Sequence, residues 1–439
     1  MERDKLSEMA AWKDRKGRRP LVLRGARQTG KTWLMKEFGK RYFKKTVYVN
    51  FENAPQLMSL FSQDLNVKRI LNTLQIYAET QITPEDTLII FDEIQSVGKG
   101  LTSLKYFCED APEYAVVAAG SLLGMGLHTG VSFPVGKVEF MDLHPMSFLE
   151  YLRAEGKQML ADAISVGEWE TLGVMHNTLV DYLKKYLFVG GMPGVVQTWL
   201  DTNDYKLVRQ VQNDILHSYH ADFSKHAPYD QVPRIQMVWQ SIPSQLSKEN
   251  KKFIYGVIRE GARAKDFELA IGWLVECGLL IKCHRVSKPS LPLSAYQDLS
   301  VFKLFLLDVG LLGAMSGLSE RTIMTGSSIF TEFKGAQAEQ FVIEELVSSQ
   351  YAHIGYWTNE RSTAEVDFIV QSDDEVIPIE VKADVNVRAK SFKFFCEKYR
   401  PSRAYRASLL PYRKEEWMTN LPLYAIGAVR GDDSHPIAF

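Results

Sequence analysis

The stretch Arg24-Gly25-Ala26-Arg27-Gln28-Thr29-Gly30-Lys31-Thr32 has the spacing of a phosphate cradle: Gly25, four residues, then Gly30-Lys31-Thr32. Glycines let the backbone turn its N–H groups towards phosphate oxygens, and the positive end of a following helix adds to the attraction. In such a P-loop Lys31 lies against the β- and γ-phosphates and the Thr32 hydroxyl ligates Mg2+. Residues Gly25 through Trp33, with Ala26, Arg27, Gln28 and Thr29 among them, are therefore expected to line ATP or a related triphosphate. The apolar run Pro20-Leu21-Val22-Leu23 before the cradle reads as a buried strand. Trp33-Leu34-Met35-Lys36-Glu37-Phe38 after it reads as the first turns of a helix.

A second signal is Thr87-Leu88-Ile89-Ile90-Phe91-Asp92-Glu93, an apolar run ending in two acids, as in a strand buried on both faces of a parallel sheet. Its acidic end falls at the carboxyl edge, where open α/β sheets bind ligands. Asp92 is expected to hold Mg2+ through its water shell, and Glu93 to orient the attacking water. Another core strand, Tyr114 to Ser121, ends in a hydroxyl. Ser121 is either a sensor of the γ-phosphate or a plain turn serine.

The far end of the chain carries a separate constellation. Glu365-Val366-Asp367-Phe368-Ile369-Val370 and Val376-Ile377-Pro378-Ile379-Glu380-Val381-Lys382 read as strands joined by Ser372-Asp373-Asp374-Glu375. With Asp373-Asp374 as the loop, Asp367 falls opposite Glu380, and Glu380 shares a face with Lys382 because strand side chains alternate. Asp367 and Glu380 would hold Mg2+, and Lys382 would orient or activate a water. Glu339, early in an amphipathic helix from Gly335 to Leu346, would lend a further carboxylate. A polar hairpin with cross-strand charge pairs uses the same residue types. Facing carboxylates in apolar strands are destabilising without a cation, which favours the site.

The elements that must position these residues follow from composition and pattern. The 439 residues suffice for several cores, and 46% hydrophobic with 24% charged residues mark a globular chain. A net charge of −1 gives no global attraction to nucleic acid or membrane, so any basic surface is local. The four cysteines show no metal-ligand spacing and suit a reducing, cytoplasmic setting. The first residues are too charged for a signal peptide, and no apolar run reaches the roughly 18 residues of a membrane span. Leu6, Met9 and Trp12 form a helical packing stripe ahead of the P-loop.

Four domains are expected. Residues 1–150 form a P-loop ATPase domain of α/β class with a parallel sheet, and 151–232 a helical lid or connector. Residues 233–325 form a winged-helix-like region, since helices there are followed by the strand-like runs Leu279–Val286 and Val301–Asp308. Lys248, Lys251, Lys252, Arg263, Lys265, Arg285 and Lys288 cluster around it, so it contacts DNA phosphates or packs on a neighbouring domain. Residues 326–439 form the last domain. There Arg388, Lys390, Lys393, Lys398, Arg400, Arg403, Arg406 and Arg413 alternate with aromatic residues, which fits a nucleic-acid face or a helix with a solvated basic side.

Taken together, the motifs resemble a prokaryotic family of ATP-binding proteins. Gly25 to Thr32, Phe91-Asp92-Glu93-Ile94-Gln95, Gly190-Gly191-Met192-Pro193, Asp308-Val309-Gly310-Leu311-Leu312, and Glu365 to Phe368 through Pro378 to Lys382 occur in that order in it. The resemblance covers nearly the whole chain. It implies an AAA+-like fold with ATP as the nucleotide, a helical and winged-helix region, and a C-terminal domain similar to PD-(D/E)XK nucleases, with a restriction-endonuclease-like fold. One departure is Gly136-Lys137, where the family has Gly-Arg before the segment that is Pro145-Met146-Ser147-Phe148 here. Lysine keeps the charge but loses bidentate geometry, so no arginine finger is named.

The leading expectation is an ATPase whose nucleotide state moves a DNA-acting, nuclease-like domain. The alternative is a nucleotide-dependent switch that binds a partner and cuts nothing. Assembly of several copies is compatible with either.

Overall fold

In the computed structural model of the chain the described residues are 1–61, 64–120, 134–248, 252–325, 331–351, 353–359, 364–372, 374–383 and 390–428. Ser121, Lys251, Asp373 and Arg388, singled out above, lie outside them. The chain forms two compact units, one of Glu2–His144 with Glu276–Leu279, the other of Pro145–Val275 with Leu280–Phe439.

The first unit is built on strands β1 (Leu21–Arg24), β2 (Lys45–Asn50), β3 (Thr87–Asp92), β4 (Ala115–Ala119) and β5 (Glu139–Asp142), ordered β2-β3-β4-β1-β5. Every pairing in it is parallel. Alternate residues of β1, β3 and β4 serve opposite cores, which is why their sequence runs are almost continuously apolar. Val22, Ile89, Phe91 and Val116 pack on one face with Phe51, Phe61 and Phe107. Leu21, Leu23, Ile90 and Val117 pack on the other with Leu34 and Phe38. The helix Lys5–Asp14 delivers Leu6, Met9 and Trp12 into that second core, as their spacing predicts. Sequence reading missed β5. It is an edge strand with charges at both ends and only alternate partial burial, so it carries no apolar run.

The second unit begins with helices. A Gly-Gly-Met-Pro turn joins His176–Val189 to Pro193–Thr202. The turn is held by Asp308, whose Oδ2 accepts from Gly191 N at 2.6 Å while Oδ1 accepts from Leu311 N at 2.9 Å. Asp308 thereby also caps the helix Val309–Met315.

The sheet of this unit contains β6 (Leu280–Val286), β7 (Gln297–Leu306), β8 (Ile354–Thr358), β9 (Glu365–Ser372), β10 (Glu375–Lys382), β11 (Tyr405–Ser408), β12 (Arg413–Lys414) and β13 (Thr419–Pro422). Its order is β12-β13-β11-β10-β9-β8-β6-β7, with mixed direction. β6 and β7 pair antiparallel, as a wing would, but β6 also pairs parallel with β8. The free edge of the hairpin thus finds partners in the C-terminal strands, and the sheet runs across the boundary drawn at 325/326. The β9–β10 register pairs Ser372 with Glu375 and Phe368 with Ile379, and Asp367 and Glu380 are the next residues along the two strands.

Candidate functional site

Gly25 has φ +142° and Gly30 φ +94°, conformations that L side chains avoid. A Cβ on Gly25 would also strike Leu143 O. Gly30 opens the helix Lys31–Tyr42, so the amides of Lys31, Thr32 and Trp33 start that helix without upstream helical partners. Arg3 braces the loop: its guanidinium donates to Thr29 O at 2.9 Å and His144 O at 2.7 Å.

Lys31 is buried and donates to Gly25 O at 2.9 Å and Ala26 O at 2.7 Å. Burial pushes its pKa down to about 8 against the pull of Glu93 and Asp92, with Arg27 lowering it further. Thr32 Oγ1 donates to Asp92 Oδ2 at 2.7 Å, and Tyr48 Oη donates to the same oxygen at 2.9 Å. The remaining oxygen, Oδ1, accepts from Glu93 N at 3.1 Å. Glu93 sits in the left-handed region at φ +51°, and its Oε2 accepts from Gln95 Nε2 at 2.5 Å. Thus Lys31, Thr32, Asp92 and Glu93 meet at the carboxyl ends of β1 and β3. Hydroxyl and carboxylate oxygens are the hard donors that suit Mg2+. Arg27 is turned to Glu52 at 3.6 Å, and Lys137 pairs with Glu109 at 2.9 Å.

In the second unit, Glu380 Oε1 accepts from Lys382 Nζ at 2.6 Å, and Asp367 Oδ2 accepts from Val381 N at 2.8 Å. Glu380 is 5% exposed, and its Oε2 has no hydrogen-bond partner among the described residues. A buried lysine from β7, Lys303, completes the cluster. Its Nζ lies 2.5 Å from Glu365 Oε1, 3.6 Å from Glu339 Oε2, and 4.7 Å from the Tyr356 ring centre.

Burial, then the neighbouring charges of Glu339 and Glu380, holds Asp367 well above the usual carboxylate range. Burial also raises Glu380, opposed by Lys382. Burial alone would lower Lys303, but Glu339, Glu365 and Asp367 outweigh it and the amine is raised. Among the described residues no group of three or more His, Cys, Asp or Glu side chains is arranged to hold a metal ion. Asp367 and Glu380 are a pair, and Glu339 faces a lysine.

Sequence reading missed Tyr48, Arg3, Lys303 and Glu365. Lys303 had a signal: it is the one charged residue in Val301-Phe302-Lys303-Leu304-Phe305-Leu306-Leu307. Tyr48 could be found only by knowing that β2 lies beside β3, and Arg3 had none.

Residues 17–152 match the AAA domain family. The first unit carries an AAA-type P-loop ATPase domain. Residues 180–322 match a domain of unknown function (DUF8612), and 334–425 match another (DUF4143). The chain resembles the Walker-type ATPase of Pyrococcus abyssi at 14% identity and TM-score 0.44, over 72% of this chain and 95% of that one. It resembles the Aeropyrum pernix ORC1 protein in complex with DNA at 13% and 0.26, over 71% and 90%. The Cdc6p of Pyrobaculum aerophilum gives 12% and 0.24, over 73% and 93%. No curated protein matches the chain. Likeness this distant carries no function. Among the described residues no helix is long and apolar enough to cross a membrane.

Proposed function

We propose that the chain hydrolyses ATP in its first unit and couples that cycle to a DNA-acting carboxylate–lysine site in its second. The supporting observation for hydrolysis is the meeting of Thr32 and Asp92 at 2.7 Å beside Lys31 and Glu93. The loop amides and Lys31 would bind the β- and γ-phosphates, Thr32 and Asp92 would hold a Mg2+ ion that supplies charge neutralisation, and Glu93 would align a water. Tyr48 keeps Asp92 oriented towards Thr32.

In the second unit Asp367 and Glu380 fit one hard cation: both offer carboxylate oxygens, and Glu380 Oε2 is buried without a partner among the described residues. Four carboxyl groups (Glu339, Glu365, Asp367, Glu380) stand against two amines (Lys303, Lys382), so the cluster holds more acids than bases to neutralise them. Mg2+ bound there would supply Lewis acidity towards a phosphodiester. Lys382, at 30% side-chain exposure, would position the water.

One observation favours the partner-binding switch instead. The outward face of the helix Ala264–Glu276 carries Lys265, Glu268, Leu269 and Glu276, an acidic and partly apolar face unsuited to phosphate. Much of the basic C-terminal segment is also committed internally: Arg403 pairs with Glu375, and buried Arg406 bonds Asn420 and Glu415.

Incubation of the pure chain with plasmid DNA, Mg2+ and ATP separates these readings. Cleavage by the parent that is lost in Asp367→Ala supports the DNA-acting site. No cleavage by the parent leaves the switch, and equal cleavage by Asp367→Ala removes the Asp367–Glu380 site. Phosphate release that survives Lys31→Ala would remove the ATPase reading as well.

A further inference from the structure

We infer that Lys303 is a fixed internal cation of the C-terminal cluster, which takes Glu339 and Glu365 out of the metal-ligand set and leaves room for one divalent ion at Asp367 and Glu380. The last clause rests on the metal reading of that pair; the assignment of Glu339 to Lys303 does not.

The geometry comes from three elements. β7 supplies Lys303, the helix Thr331–Ser348 supplies Glu339, and the first residue of β9 is Glu365. Lys303 is 1% exposed, so its charge is compensated by groups in contact with it rather than by solvent. Glu365 Oε1 at 2.5 Å is its close partner. Glu339 Oε2 at 3.6 Å is an ionic neighbour beyond hydrogen-bond reach, and the Tyr356 ring face closes another side.

An ammonium cannot be displaced from a buried strand as a hydrated ion can be exchanged. It therefore holds these two carboxylates permanently, and it repels a second divalent ion at close range. Asp367 and Glu380 are left differently. Among the described residues neither forms an ion pair with Lys303, although Asp367 feels its charge, and Glu380 keeps one bare oxygen. Lys303 also ties β7 to the cluster chemically as well as through the sheet.

The test counts Mn2+ by electron paramagnetic resonance on the full chain, without nucleotide, in an Asp92→Asn background that removes the P-loop ion. One Mn2+ per chain is expected, lost in Asp367→Asn. Lys303→Met should bind a second ion, or hold one at least about tenfold tighter. Glu339→Gln should change affinity by less than about tenfold while Lys303 is present, and by more in the Lys303→Met chain. Unchanged count and affinity in Lys303→Met overturns the inference. So does a loss of about tenfold or more in Glu339→Gln alone, which needs no change at Lys303 and stays decisive if Lys303→Met does not fold. A parent that takes no Mn2+ while Lys303→Met takes it would sink the Asp367–Glu380 metal reading and leave the Lys303 assignment standing.

Discussion

Thr32 donates its hydroxyl hydrogen to Asp92 Oδ2 at 2.7 Å, and Tyr48, from the neighbouring strand, donates to the same oxygen at 2.9 Å. Burial, then Asp92, pushes the Tyr48 phenol up to about 12, so it remains a donor throughout the working range. Tyr48→Phe removes one of the donors that fix the carboxylate. Phosphate release should fall about threefold to tenfold, the effect of one such bond, with ATP affinity nearly unchanged. Asp92→Asn removes the charge itself and should cost at least about a hundredfold. Full turnover in Tyr48→Phe would reduce that tyrosine to a packing residue.

The second prediction concerns Lys31. With its amine at about 8, part of the population is neutral at pH 8 to 8.5. A triphosphate placed against it favours the ammonium. ATP binding in that range should therefore take up protons, and uptake should vanish near pH 6.5, where Lys31 is already charged. Calorimetry in buffers of different ionisation heat measures this directly. Lys31→Met should show no uptake from this residue at either pH.

Motifs that are contiguous in the chain were legible in the sequence. The P-loop from Gly25 to Thr32 and the β3 strand with its acidic end lie where apolar runs and spacing place them. The register of β9 against β10 was legible too, from Ser372–Glu375 to Phe368–Ile379, because the strands are close neighbours in the chain. Contacts made between distant segments were not. Arg3 reaches Thr29 and His144, and Lys303 reaches Glu339 and Glu365, through packing that no local spacing encodes. The β6–β7 hairpin shows the same limit. Its local pattern reads as a wing, and only the β8 pairing reveals it as part of the larger sheet.

A third prediction follows from Gly190. Its φ is +75°, and a Cβ there would run into the Asp308 carboxylate. Gly190→Ala should therefore lose about 3 kcal/mol or more, from left-handed strain plus a displaced buried carboxylate. A large drop in the urea midpoint of the parent fold is the measurement. Gly194→Ala, four residues on, has open space around its Cβ position and serves as the control. Equal midpoints for the two variants would show that the Gly190–Asp308 contact is not a constraint on the fold.

Asp308 itself makes stability depend on pH, and the sign is opposite to the common case. Burial raises its carboxyl from 3.8 to about 6, even though Gly191, Leu311 and Gly310 donate to it and pull the other way. A carboxyl raised on folding adds no penalty while both states are protonated, below about pH 4. The penalty grows as pH rises through this window and is complete above about pH 6, reaching about 3 kcal/mol. A neighbour acts in the same direction: Glu344, on the helix Thr331–Ser348, is raised by burial and by Asp308. The parent should therefore gain stability relative to Asp308→Asn as pH falls from 7 to 5. The variant loses an acceptor for Gly191 N, a cost of about 1 to 3 kcal/mol at every pH, which the missing charge cancels at pH 7 and offsets only in part at pH 5. Urea unfolding of both chains at pH 5, 6 and 7 measures the difference. A gap that stays constant or narrows towards pH 5 would mean that Asp308 is charged across the whole range, held by its amide donors against the burial.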